Sequence, residues 1–135
     1  MKFLVILLGL ISIGLCAVPK VPGILDCTFE CSGSLTPVLN PNNTATTNGC
    51  GAYGIIAHPS LLPNSEFLNC CNSHDICYET CNTVRETCDK TFKDCMMNSC
   101  KNWSCRFIAD SFYGAVQTLG CPSFLERQKK SCMCV

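Results

Sequence analysis

Cys70-Cys71-Asn72-Ser73-His74-Asp75-Ile76-Cys77-Tyr78 gathers a histidine, a carboxylate and three cysteines into about two turns of helix. In a helix, Cys70, His74, Cys77 and Cys81 fall at i, i+4, i+7 and i+11 and share one face, while Cys71, Asp75 and Tyr78 share an adjacent one. A second stretch, Cys88-Asp89-Lys90-Thr91-Phe92-Lys93-Asp94-Cys95, repeats the seven-residue cysteine spacing of Cys70 and Cys77. Antiparallel helices in contact keep the sum of facing residue numbers nearly constant. Cys70 with Cys95 and Cys77 with Cys88 satisfy that rule together, so both pairs are expected as disulfides. Between these rungs His74 faces a point near residue 91, within reach of Asp89. Thr83-Val84-Arg85-Glu86 reads as a capping box that starts the second helix.

Outward from this hairpin, Met1 to Cys16 has a positive Lys2 and an apolar run ending in small residues. That is a secretory signal peptide, too short for a membrane span of about 20 residues. The chain has 15 cysteines; without Cys16 the number is even, which suits full pairing in an oxidising compartment. The expected organisation is therefore a signal peptide over residues 1–16 and a single secreted domain over 17–135. Such a domain depends on disulfides as much as on its core. The 10 basic and 10 acidic side chains balance, and no run of like charge stands out, so neither nucleic acid nor an anionic surface is a favoured partner.

The segment from Ala17 to Leu39, with Pro19, Pro22, Cys27 and Cys31, reads as an extended, stapled arm. Residues 40–49 form a polar loop in which Asn42-Asn43-Thr44 is a glycosylation sequon. Asn102-Trp103-Ser104 is a second sequon in a crosslinked region. Asn48-Gly49-Cys50-Gly51-Ala52-Tyr53-Gly54 can turn tightly and present backbone groups. Asn64 or Ser65, with Glu66, starts the first helix; His58 belongs to an exposed loop. Beyond Cys95 a break is expected near Lys101-Asn102. Phe112, Val116 and Leu119 read as core, and Gly120 with Pro122 reads as a helix stop.

A histidine with one carboxylate beside it and another across the hairpin suggests a division of labour. Asp89 can fix the imidazole in one tautomer so that the other nitrogen of His74 acts as a general base. Asp75 can bind a hard cation if carbonyls of the Gly49–Gly54 loop complete the site, and a water activated by His74 would be the nucleophile. No G-x-S-x-G nucleophile elbow is present. A packing role for His74 and a zinc cluster of Cys70, Cys71, His74 and Cys77 are the competing readings.

The motif Cys70-Cys71-x-x-His74-Asp75-x-Cys77-Tyr78, with Cys88-Asp89 and Cys95, resembles the catalytic hairpin of the secretory phospholipases A2. Asn-Gly-Cys-Gly at residues 48–51 is similar to that family's calcium loop. The short inter-helix turn and the ends Leu119-Gly120-Cys121 and Cys132-x-Cys134 resemble the cysteine-rich group XII branch. The resemblance implies a mainly α, disulfide-rich fold of two antiparallel crosslinked helices with a calcium loop. It implies His74 as general base, Asp89 as its orienting partner, and Asp75 with the carbonyls of Gly49, Gly51 and Tyr53 as ligands of Ca2+. The implied activity is calcium-dependent hydrolysis of the sn-2 ester of glycerophospholipids at a membrane or micelle surface, by a secreted monomer. Tyr78 would support Asp89, and only one of the family's usual two supporting tyrosines has a counterpart. Tyr53 stands where the common loop pattern has a glycine. The alternative is a catalytically weak lipid- or receptor-binding protein on the same scaffold. Ile55, Ile56, Leu61, Leu62 and Phe67 form the expected interfacial patch.

Overall fold

The computed structural model describes residues 27–52 and 55–135; the side chains of residues 52–56 lie outside this description. The expected signal peptide, residues 17–26 of the N-terminal arm, and Tyr53 and Gly54 fall outside it as well. The elements run β1 (Pro37–Leu39), β2 (Gly51–Ala52), β3 (Ile55–Ile56), a 3-10 turn (Pro59–Leu61), α1 (Ser65–Tyr78), α2 (Arg85–Ser99), α3 (Trp103–Ser131) and β4 (Cys132–Cys134). The fold is mainly α and disulfide-rich, as the sequence implies.

Helix α1 begins where Asn64 accepts hydrogen bonds from the backbone N–H groups of Glu66 and Phe67, satisfying two of the donors a helix start leaves open. It buries Phe67, Cys70, Cys71, His74, Asp75 and Tyr78, one stripe at helical spacing. At its C-terminal end the buried Gln128 of α3 donates from Nε2 to the carbonyls of Tyr78 and Thr80, both at 2.7 Å. Asn82, with φ of 65°, then turns the chain. Helix α2 starts one residue later than the capping-box pattern places it. Its N-cap is Val84, without a side-chain cap, because Thr83 Oγ1 donates instead to the carbonyls of Cys77 and Thr80.

The two expected rungs are present: Cys70–Cys95 and Cys77–Cys88 staple α1 to α2. Cys50–Cys71 ties the glycine loop to α1, and Cys100–Cys105 spans the break between α2 and α3. Cys27–Cys121, Cys31–Cys134 and Cys81–Cys132 hold the arm and the tail. These bridges use every cysteine from Cys27 onward, so none of the proposed zinc thiolates is free. β1 pairs antiparallel with β4 in the register Pro37 to Cys134, and β2 pairs with β3.

Gly120 and Pro122 do not stop α3, which continues to Ser131. The helix persists because its far half is anchored: Phe124 and Gln128 are buried, and Cys121 is bridged to Cys27. Gly120 has a packing role instead. A Cβ there would lie 2.6 Å from Tyr78 Oη. Leu119 is 55 % exposed rather than core, and Phe67 is fully buried, edge-on to Phe112 at 6.1 Å, which removes it from the expected interfacial patch. Leu61 is 76 % exposed, Leu62 half-buried.

The Tyr78 ring cannot swing away cheaply, since Phe124 packs edge-on at 5.1 Å and its hydroxyl is hydrogen-bonded to Asp89. Gly120→Ala should therefore destabilise the fold by about 1–2 kcal/mol in denaturant unfolding, overpacking outweighing the gain in helix propensity. Combining it with Tyr78→Phe, which deletes the clashing oxygen, should recover part of that loss. Strict additivity of the two substitutions would contradict this account.

Candidate active site

The rungs hold His74 against α2. His74 Nε2 lies 2.8 Å from Asp89 Oδ1, with both side chains buried. The same Oδ1 accepts Tyr78 Oη at 2.6 Å, and Asp89 Oδ2 faces Arg85 Nη1 at 3.4 Å. A carboxylate oxygen only accepts, so Nε2 carries the proton and the tautomer leaves Nδ1 with a lone pair. The ring stacks on Phe92, with centroids 4.5 Å apart, and lies 4.1 Å from the Tyr78 ring. Its orientation is thus fixed by packing as well as by the hydrogen bond. Burial and the bond to Asp89 push the Tyr78 hydroxyl far above its ordinary value, so Tyr78 stays a donor.

Arg85 is the support that sequence reasoning missed. Its Nη1 also donates to the carbonyls of Val116 and Gln117 at 3.2 Å, tying Asp89 to the middle of α3. Tyr78 takes one oxygen of Asp89 and this guanidinium takes the other. Its i, i+4 spacing from Asp89 was the available signal.

His74 and Asp75 line a cavity of about 350 Å³ with Gly49, Cys50, Gly51, Phe92, Phe112, Val116 and Leu119. The structure therefore brings together His74, Asp75, Gly49 and Gly51, with Asp89 behind the histidine. Gly49, at φ of 73°, adopts the left-handed conformation that glycine tolerates. Gly51 N–H donates to Gly49 O, and Ala57 N–H to Cys50 O, which hold the loop's shape. No group of three His, Cys, Asp or Glu side chains among the described residues could hold a metal. A hard cation would need backbone carbonyls beside Asp75; Gly49 and Gly51 line the same cavity as Asp75, and a donor set of one carboxylate with backbone carbonyls is of the all-oxygen kind that calcium takes.

Asp75 has neighbours of its own. Oδ2 accepts the Asn48 N–H at 2.9 Å, and Arg127 Nη2 stands 3.5 Å from Oδ1. Burial holds the Asp75 carboxyl above its ordinary value, and the Asn48 N–H and Arg127 only partly oppose it. One turn on, buried Glu79 accepts Arg127 Nη1 at 2.7 Å, the Thr46 N–H and hydroxyl, and Asn43 Nδ2. Burial alone would raise Glu79; the Thr46 and Asn43 hydrogen bonds and the Arg127 charge outweigh it and hold the carboxyl below its ordinary value. The sequence shows no local sign of this cluster, because Arg127 lies 48 residues from Glu79.

Fold and site together define a disulfide-stapled helical hairpin presenting a His–Asp couple beside a glycine loop. The family model described as Group XII secretory phospholipase A2 precursor matches residues 20–135. The chain belongs to that family. It is 31% identical over 124 residues to the Group XIIB secretory phospholipase A2-like protein of Mus musculus, covering 80% of this chain and 64% of that one. It is 30% identical over 125 residues to the Group XIIA secretory phospholipase A2 of Mus musculus and to that of Homo sapiens, covering 80% of this chain and 62% and 63% of those. The chain thus spans a little under two thirds of the length of these relatives. No solved structure matches it significantly. No helix among the described residues is long and apolar enough to cross a membrane.

A carboxyl held low in the folded state contributes stability above its ordinary pKa, and that contribution fades as pH falls through the folded value. Glu79→Gln should cost about 1.5–3 kcal/mol at neutral pH, the range for a buried charge-assisted hydrogen bond. The gap from wild type should narrow as pH drops below the ordinary value of 4.5. Chemical unfolding across pH checks this; a gap independent of pH would contradict it.

Proposed function

We propose that this protein is a secreted, calcium-dependent phospholipase A2 that hydrolyses the sn-2 ester of glycerophospholipids at a membrane or micelle surface, acting as a monomer. The observation that carries the reading is the 2.8 Å contact of His74 Nε2 with Asp89, beside a cavity shared with Asp75, Gly49 and Gly51.

Asp89 holds the Nε2 proton, and Tyr78 and Arg85 hold Asp89. Nδ1 of His74 accepts a proton from a water that attacks the ester carbonyl, then delivers it to the departing lysophospholipid oxygen. Phe92, Phe112, Val116 and Leu119 give the substrate an apolar wall that excludes bulk water. Asp75 and the carbonyls of Gly49, Gly51 and Tyr53 are the groups that would hold calcium; when bound, the ion supplies positive charge against the developing oxyanion.

A second reading, a catalytically weak lipid- or receptor-binding protein, is favoured by one observation. Both carboxylate oxygens of Asp75 already have a partner, Asn48 N–H on one and Arg127 on the other.

Fatty-acid release from mixed phospholipid vesicles, with millimolar calcium or with chelator, tests the proposal. Release should require calcium, and His74→Gln should lower it by about 10²–10⁴-fold, the usual contribution of a general base, with the circular dichroism spectrum unchanged. Release that persists in folded His74→Gln would refute the assignment of the base. Vesicle binding without release by the wild type would favour the second reading.

A further inference from the structure

We infer that Arg127 is a built-in cation that sets how tightly the Asp75 site takes up calcium. The inference rests on the proposed role of Asp75 as the calcium carboxylate. Arg127 projects from the last turns of α3 and is largely buried, with its side chain 12% exposed. Its Nη1 donates to Thr46 O at 2.6 Å and to Glu79 Oε2 at 2.7 Å, while Nη2 stands at 3.5 Å from Asp75 Oδ1.

The guanidinium therefore has a primary anchor and a secondary contact. Glu79 is its anchor, and Glu79 is itself immobilised by Asn43 and Thr46. Asp75 receives the outer edge of the fork. A divalent ion bound to Asp75 would sit within several ångströms of a fixed unit positive charge and would compete with it for Oδ1. In a partly buried site that repulsion exceeds thermal energy and is weakly screened by salt. The site stays usable because Glu79 draws Arg127 away from Asp75. Affinity is then set by the division of one guanidinium between two carboxylates a turn apart.

Two substitutions pull this division in opposite directions. Arg127→Gln removes the charge while keeping an amide that can bond to Glu79 and Thr46. Glu79→Gln removes the anchor's charge and leaves Arg127 to Asp75. Calcium titration by calorimetry of the fully oxidised protein reads both without relying on turnover. Arg127→Gln should tighten calcium by about tenfold, and Glu79→Gln should weaken it by about threefold or more, the scale of one nearby charge in a partly buried site. Asp75→Asn is the control.

If wild type binds calcium and Asp75→Asn does not, but folded Arg127→Gln is unchanged or weaker, Arg127 is not a competing cation and the inference falls alone. If Arg127→Gln does not fold, Glu79→Gln decides: unchanged or tighter binding there overturns it. Equal binding by wild type and Asp75→Asn, or no binding by wild type and Arg127→Gln alike at millimolar calcium, would overturn the Asp75 assignment and the inference with it. Binding by Arg127→Gln where wild type shows none would be the strongest support.

Discussion

The hydrogen bond from His74 Nε2 to Asp89 is the contact on which the rest of the structure converges. It joins two helices at the one level where neither may shift, because Cys70–Cys95 lies on one side of it and Cys77–Cys88 on the other. A single bridge would let the helices rotate about it; two bridges on either side fix register and rotation together. Phe92 stacked on the imidazole and Tyr78 bonded to the same carboxylate oxygen remove the remaining freedom of the ring. In a small domain whose core holds many half-cystines, crosslinks supply the rigidity that a larger apolar core would otherwise provide.

The third helix completes the site from outside the hairpin. Gly120 lets α3 approach Tyr78, Arg85 reaches its mid-helix carbonyls, and Gln128 closes the end of α1. The Gln128 contact, with buried Phe124 and the Cys27–Cys121 bridge, explains why a helix with a proline inside remains unbroken to Ser131. Its N-terminal half walls the cavity, while its last turns deliver Arg127 to the carboxylates of α1. One face of the histidine thus meets a neutral, apolar lining, and the neighbouring acidic pair is partly neutralised by a single guanidinium.

What was legible in the sequence was whatever depended on helical spacing. Cys70, His74, Cys77, Cys88, Asp89 and Cys95 lie on two short helices whose antiparallel register follows from residue numbers, so the rungs and the His–Asp contact could be anticipated. Asn64, one of two caps that local rules offered, starts α1, and Tyr78 as support of Asp89 followed from the family resemblance. Thr83 was misread because its hydroxyl had carbonyl partners at the end of α1 that no local pattern reveals. Gly120 and Pro122 looked like a stop because local rules do not register Phe124, Gln128 and the Cys27–Cys121 bridge beyond them. Phe67 looked available for an interface, yet it fills the core against Phe112. The Arg127–Glu79–Asp75 cluster joins the last turns of α3 to the end of α1, with Asn43 and Thr46 of a third segment completing it, and nothing in their spacing announces it. Tyr53, expected among the carbonyl donors, lies outside the described residues.

The central claim is that the hairpin locks His74 in the tautomer with the proton on Nε2 and the lone pair on Nδ1. Long-range ¹H–¹⁵N correlation spectroscopy of the imidazole, assigned by loss of its signals in His74→Gln and recorded where the ring is neutral, reads this directly. The account predicts a protonated Nε2 and a bare Nδ1 for His74. A spectrum showing the proton on Nδ1, or rapid exchange between the two tautomers, would contradict it.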